Sequence, residues 1–130
     1  MRFMILLKAT PQTEAGVVPE EKRNAAMADY LEQLAKAGVL LDASGLQPSA
    51  TGWRVRYAAG RPTMVDGPFA ESKELIAGYT LLQVRSREEA REWTRRFPAP
   101  HDEGVDAEIE VRQLFEPEDC VSSHAVGHAS

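Results

Sequence analysis

The leading candidates for chemistry lie in the run Asp66-Gly67-Pro68-Phe69-Ala70-Glu71-Ser72-Lys73-Glu74. Asp66, Glu71 and Glu74 can exchange protons, and Lys73 can bind an anion or depress a neighbouring carboxylate pKa. Two acids bracketing a base at the rim of an apolar cavity form a default site, so Glu71, Lys73 and Glu74 are the leading ligand contacts, with Asp66 or Glu71 as a candidate base. Turn chemistry competes for the first residues of the run. Asp66 would cap a turn, Gly67 supply an unusual backbone angle, Pro68 fix its neighbour and Phe69 anchor the loop. By alternation Lys8, at the end of the first apolar run, could reach a cavity mouth and Asp42 could point inward, but an exposed strand end for Lys8 and a rim salt bridge for Asp42 are the favoured readings.

Other residues carry weaker signals. Arg54 and Arg56 share one face of an alternating segment, which suits an acidic ligand, a partner subunit or plain solvation. His101, after Pro98-Ala99-Pro100, has the pKa for acid–base work if it faces a cavity. His124 and His128 are four residues apart with Asp119 and Cys120 nearby, but the surrounding Ser122, Ser123, Gly127 and Ser130 provide no scaffold to fix coordination geometry, so no metal site is expected. The chain has no Gly-rich phosphate loop, Gly-x-Ser-x-Gly elbow, His-Glu-x-x-His or paired-cysteine motif. Nucleotide hydrolysis and covalent serine or cysteine catalysis are disfavoured, and no cofactor is expected.

What positions these residues is a single domain of ordinary globular composition, 130 residues with 43% hydrophobic and 27% charged side chains. The net charge of -5 is dispersed and leaves no basic footprint for nucleic acid. The longest apolar run, Phe3 to Leu7, is too short for a signal sequence or a membrane span. With one cysteine, Cys120, the expected setting is the cytoplasm.

Residues 2–8 read as a buried strand and 10–18 as a loop. A helix starts near Pro19, with an apolar stripe of Met27, Tyr30, Leu31, Leu34 and Ala35 and a stop at Gly38. Val39 to Leu41 form a second strand that ends in the turn around Pro48. Trp53, Val55 and Tyr57 alternate with arginines and turn back into residues 63–65 as a hairpin. Residues 79–84 suit a central strand. Ser86 and Glu89 give a capping-box pattern for a second helix, which carries Ala90, Trp93 and Phe97 and stops at Pro98. Ile109, Val111, Leu114 and Phe115 lie in a last strand, and regular structure is expected to stop from Glu116.

This order predicts an α+β fold, a ferredoxin-like β-α-β-β-α-β arrangement with an inserted hairpin and both helices on one sheet face. Apolar residues on both sides of several strands call for a cover on the other face, most economically a second copy, giving a homodimer with an enclosed cavity. The domain is assigned to residues 1–116 and a flexible tail to 117–130.

The segment from Asp66 to Glu74, followed by Gly78, resembles the DGPF signature of YCII-related proteins. The resemblance extends through Ala37-Gly38-Val39-Leu40, Gly45-Leu46-Gln47-Pro48-Ser49 and Glu108-Ile109-Glu110-Val111-Arg112. It implies a dimeric α/β barrel and, for many members, a genomic association with alternative sigma factors, hence a regulatory protein partner. The YCII branch proper carries a histidine on the first helix and an aspartate at the pocket. Here no histidine lies on that helix, and Met27 stands at about its place, so the inherited His/Asp mechanism is not expected. Three functions stay open. One is a small-ligand-binding or accessory domain, one a cofactor-independent acid–base enzyme using Asp66 or Glu71 with Lys73 as anion stabiliser, and one an interaction module with a filled cavity.

Overall fold

The computed structural model describes residues 1–100 and 106–121. Its elements are β1 (Arg2–Lys8), α1 (Pro11–Glu14), α2 (Glu21–Lys36), β2 (Leu40–Gly45), β3 (Trp53–Ala58), β4 (Arg61–Asp66), β5 (Ile76–Gln83), α3 (Arg87–Arg95), β6 (Ile109–Gln113) and α4 (Pro117–Val121). Single 3-10 turns cover Ser49–Thr51 and Ser72–Glu74.

Four strands form one antiparallel sheet in the order β2-β5-β1-β6, while among the described residues β3 and β4 pair only with each other. Register decides which side chains share a face. Ile5 lies opposite Thr80 and Val111, and Phe3 opposite Leu82; Met4 lies opposite Leu81, and Leu6 opposite Tyr79. Because successive strand residues point to opposite faces, Phe3, Ile5 and Leu82 go to one side and Met4, Leu6, Tyr79 and Leu81 to the other.

The helices cover the first side. Phe3, Ile5 and Leu82 are buried with Tyr30 and Leu34 of α2 and Ala90 of α3. Leu34 has no exposure, and burying such a side chain contributes about 1.5–3 kcal/mol. The two helices are joined at Tyr30, whose hydroxyl donates to the Trp93 carbonyl at 2.7 Å and whose ring meets Phe97 edge-on at 5.4 Å. Burial pushes the Tyr30 hydroxyl up to about 12, against a smaller opposing pull from Arg96.

The strands, the hairpin and both long helices lie close to their expected positions. Gly38 closes α2 at φ +75°. Ser86 caps α3, accepting from Glu89 N at 3.0 Å, whereas the Glu89 carboxylate accepts from Arg85 N at 2.8 Å instead of closing the box on Ser86. Two expectations are corrected. The supposed loop at 10–18 contains α1, a single turn made possible because Thr10 and Thr13 cap each other's backbone and Pro11 occupies the first helical position. Regular structure also continues past Glu116 into α4. Glu116 itself is tied to the start of the chain by an ion pair with Arg2 at 3.2 Å.

The hairpin turns through Ala59 and Gly60, both at positive φ, the geometry that matches strand twist in a two-residue loop. Trp53, Val55 and Tyr57 share its outer face with Met64, and Tyr57 is 81% exposed.

Candidate functional site

A cavity of about 580 Å³ opens between the sheet and α2, on the helix side. It exists because the floor is built from small residues. Ala43 and Gly45 of β2 lie opposite Thr80 and Gly78 of β5, so this part of the sheet raises no large side chain where Phe3, Ile5 and Leu82 fill the neighbouring core. Met27 and Leu31 of α2 form the roof, and Phe97 to Pro100 the far wall. Val17 and Val18, both exposed, border the mouth together with Thr13 of α1.

Among the described lining residues Arg23 is the sole charged side chain. It comes from the first turns of α2, and its Nη1 donates to the Pro100 carbonyl at 3.1 Å, joining roof to far wall. No carboxylate or histidine appears in the described lining. Apolar contact, one guanidinium and a few hydroxyl and amide groups are what the described residues of the cavity offer a guest.

The mouth is held by a small polar hub. Glu14, the last residue of α1, accepts from Ser49 N at 2.9 Å and also from Ser49 Oγ. Ser49 Oγ in turn accepts from Phe69 N at 3.0 Å. Gly67 N donates to the Gly52 carbonyl at 3.0 Å, and the Gly67–Pro68 peptide is cis. A Cβ at Gly67 would come within 1.8 Å of the Ser49 carbonyl oxygen, so only glycine permits this approach. The Arg54 guanidinium lies 3.8 Å over the Phe69 ring. The Asp-Gly-Pro-Phe run is therefore fastened to the turn at Ser49, which holds α1 at the cavity mouth.

The charged residues singled out by sequence lie elsewhere. Asp66 ends β4, exposed, and Glu71, Lys73 and Glu74 are exposed around the 3-10 turn at 72–74. Lys8 is half-buried and pairs with Glu110 at 3.5 Å. Hydrogen bonds from Arg112 and then Lys8 hold the Glu110 carboxyl below its usual range. None of Asp66, Glu71, Lys73, Glu74 and Lys8 is among the cavity's lining residues. Asp42 is exposed and accepts from the Tyr79 hydroxyl at 2.8 Å, on the sheet face away from the helices. His101, His124 and His128 lie outside the described residues, within which no cluster of three or more His, Cys, Asp or Glu is arranged for a metal. No helix among the described residues is long and apolar enough to cross a membrane.

The residues that sequence reasoning missed are Ser49, Glu14 and the floor. Pro48-Ser49 was visible as a polar turn but gave no sign of its partners. The one usable signal for the floor was the alternation of small residues at Ala43, Gly45, Gly78 and Thr80.

The family model of the YCII-related domain matches residues 1–115. An uncharacterised protein of Rhizobium meliloti strain 1021 is 30% identical over 82 residues, a match covering 63% of this chain and 66% of the relative's length. Among solved structures, the 5-chloro-2-hydroxyhydroquinone dehydrochlorinase TftG of Burkholderia phenoliruptrix AC1100, in complex with 2,5-dihydroxybenzoquinone, is similar at 16% identity. That match has a TM-score of 0.45 and covers 88% of this chain and 94% of TftG.

Proposed function

This chain belongs to the YCII-related domain family, and we propose that it is a small-molecule-binding domain whose site is the helix-side cavity. The observation that carries the reading is an apolar cavity of about 580 Å³, within the size range of ligand sites and larger than packing normally leaves empty. On this reading Asp66, Glu71, Lys73 and Glu74 shape the loop that fastens the mouth and do not touch the guest.

The strand order, with the hairpin set aside, supports a ferredoxin-like arrangement that pairs with a second copy into a dimeric α/β barrel. Met4, Leu6 and Leu81 on the open sheet face, with Trp53, Tyr57 and Met64 on the hairpin, provide apolar surface for that association. Light scattering should then report twice the chain mass, and Leu81→Arg should give a monomer; a monomeric wild type would refute the barrel.

The binding reading is tested by a thermal-shift screen of apolar small molecules against the wild type and Ala43→Leu, which fills the floor. A compound at a hundred times its dissociation constant contributes about 2.7 kcal/mol, on the order of 10 °C for a chain this size. Hits should stabilise the wild type and lose their effect in Ala43→Leu. Hits that stabilise both equally, or none at all, would refute the cavity as the site.

A further inference from the structure

Thr80 is the buried polar residue of the sheet, with 2% exposure. It lies on β5 between Gly78 and Leu82 of the same face and opposite Ile5 and Ala43, at the centre of the cavity floor. Buried hydroxyls ordinarily find a partner, because leaving one unpaired is costly. The hydroxyls of Thr13 and Tyr79 do so. Thr13 Oγ1 accepts from Thr10 N and donates to the Thr10 carbonyl, and the Tyr79 hydroxyl reaches Asp42. No hydrogen bond to another described residue occupies the Thr80 hydroxyl, and the atom is not sealed in the core but open to the cavity that the residue lines. Valine would occupy almost the same volume at this strand position without offering the cavity a hydrogen bond.

We propose that Thr80 is the specificity-determining contact of the cavity, exchanging a hydrogen bond with a hydroxyl or carbonyl oxygen on an otherwise apolar guest. This rests on the cavity being the binding site. The lining narrows the class further. Among its described residues the cavity offers a guanidinium and no carboxylate, which favours an alcohol, phenol or carbonyl compound over an amine. The glycine pair Gly45 and Gly78 beside Thr80 leaves backbone on the floor, so a flat apolar body can lie against the sheet with its oxygen at Oγ1. A hydroxyl accepts or donates, which lets one threonine serve either kind of oxygen.

The test uses matched probes differing only in the oxygen: benzyl alcohol with ethylbenzene, and acetophenone with α-methylstyrene. Affinities for the full chain are read by ligand-observed NMR in the wild type, Thr80→Val and Thr80→Ser. The oxygenated probes should bind about five- to tenfold more weakly to Thr80→Val, with the hydrocarbons unchanged or tighter, and Thr80→Ser should retain the wild-type preference and guard against a folding defect in the valine variant. Equal losses for both members of each pair, or no change in either, would overturn the role of Thr80. If the hydrocarbons bind and Ala43→Leu excludes them, that outcome leaves the cavity as the site and removes Thr80 alone. If no probe binds the wild type, both the cavity reading and this proposal fail.

Discussion

Glu14 accepts the backbone N–H of Ser49 at 2.9 Å, and the two residues stand 35 positions apart in the chain. One serine thereby joins the end of a one-turn helix to the Asp-Gly-Pro-Phe loop, because its hydroxyl also serves Phe69 N.

Removing that hydroxyl tests the hub. Ser49→Ala strands the Phe69 amide and takes one donor from the Glu14 carboxylate, and leaving such groups unpaired costs about 1–3 kcal/mol. The urea midpoint should fall with an unchanged m-value, and the Phe69 amide should exchange faster. An unaltered midpoint would mean that the contact contributes nothing to folding.

The motif's residues should separate by role. Gly67→Ala drives a methyl group into the Ser49 carbonyl and should lose about 2–4 kcal/mol, since backbone and not a flexible side chain must move. Asp66→Asn, on an exposed side chain, should stay within about 0.5 kcal/mol. Comparable losses in calorimetry for the two would show that the aspartate is part of the fastening.

For ligand hits that Ala43→Leu abolishes, Glu71→Gln and Lys73→Ala should leave the dissociation constant within about twofold, because neither side chain lines the cavity. Titration calorimetry decides this. A loss of tenfold or more in either variant would return the charged rim to the site.

Tyr30 makes alkaline stability informative. Its hydroxyl is neutral in the fold up to about pH 12 but ionises near 10 when unfolded, so the unfolded state loses its proton first. The contribution is full below pH 10 and is lost as pH rises from 10 to 12. Tyr30→Phe should flatten that limb of the stability profile and cost about 1 kcal/mol at neutral pH through the missing bond to Trp93. An alkaline limb identical in the variant would place its origin elsewhere.

Much of the fold was readable because its signals are periodic. Alternation marks Trp53, Val55 and Tyr57, and three- and four-residue spacing marks Met27, Tyr30 and Leu34. The one-turn helix at Pro11–Glu14 is too short to show a period and is held by Thr10 and Thr13 instead. The candidate site was harder to read for a different reason. Glu71, Lys73 and Glu74 draw notice because they are charged, yet they are exposed. The cavity is defined where side chains are small or missing, at Ala43, Gly45 and Gly78. Ser49 acts through partners 35 and 20 residues away, which no local pattern reports.

That floor gives the cavity an unusual means of adjustment. A Cβ built at Gly45 meets nothing within 4 Å, and its backbone angles are open to any residue. Guest size can therefore be graded by adding carbons one at a time at positions 43 and 45, leaving the core packing of Ile5, Leu34 and Leu82 untouched. Such a series would work as a ruler, and the length at which affinity for a probe vanishes would measure how deep that probe sits.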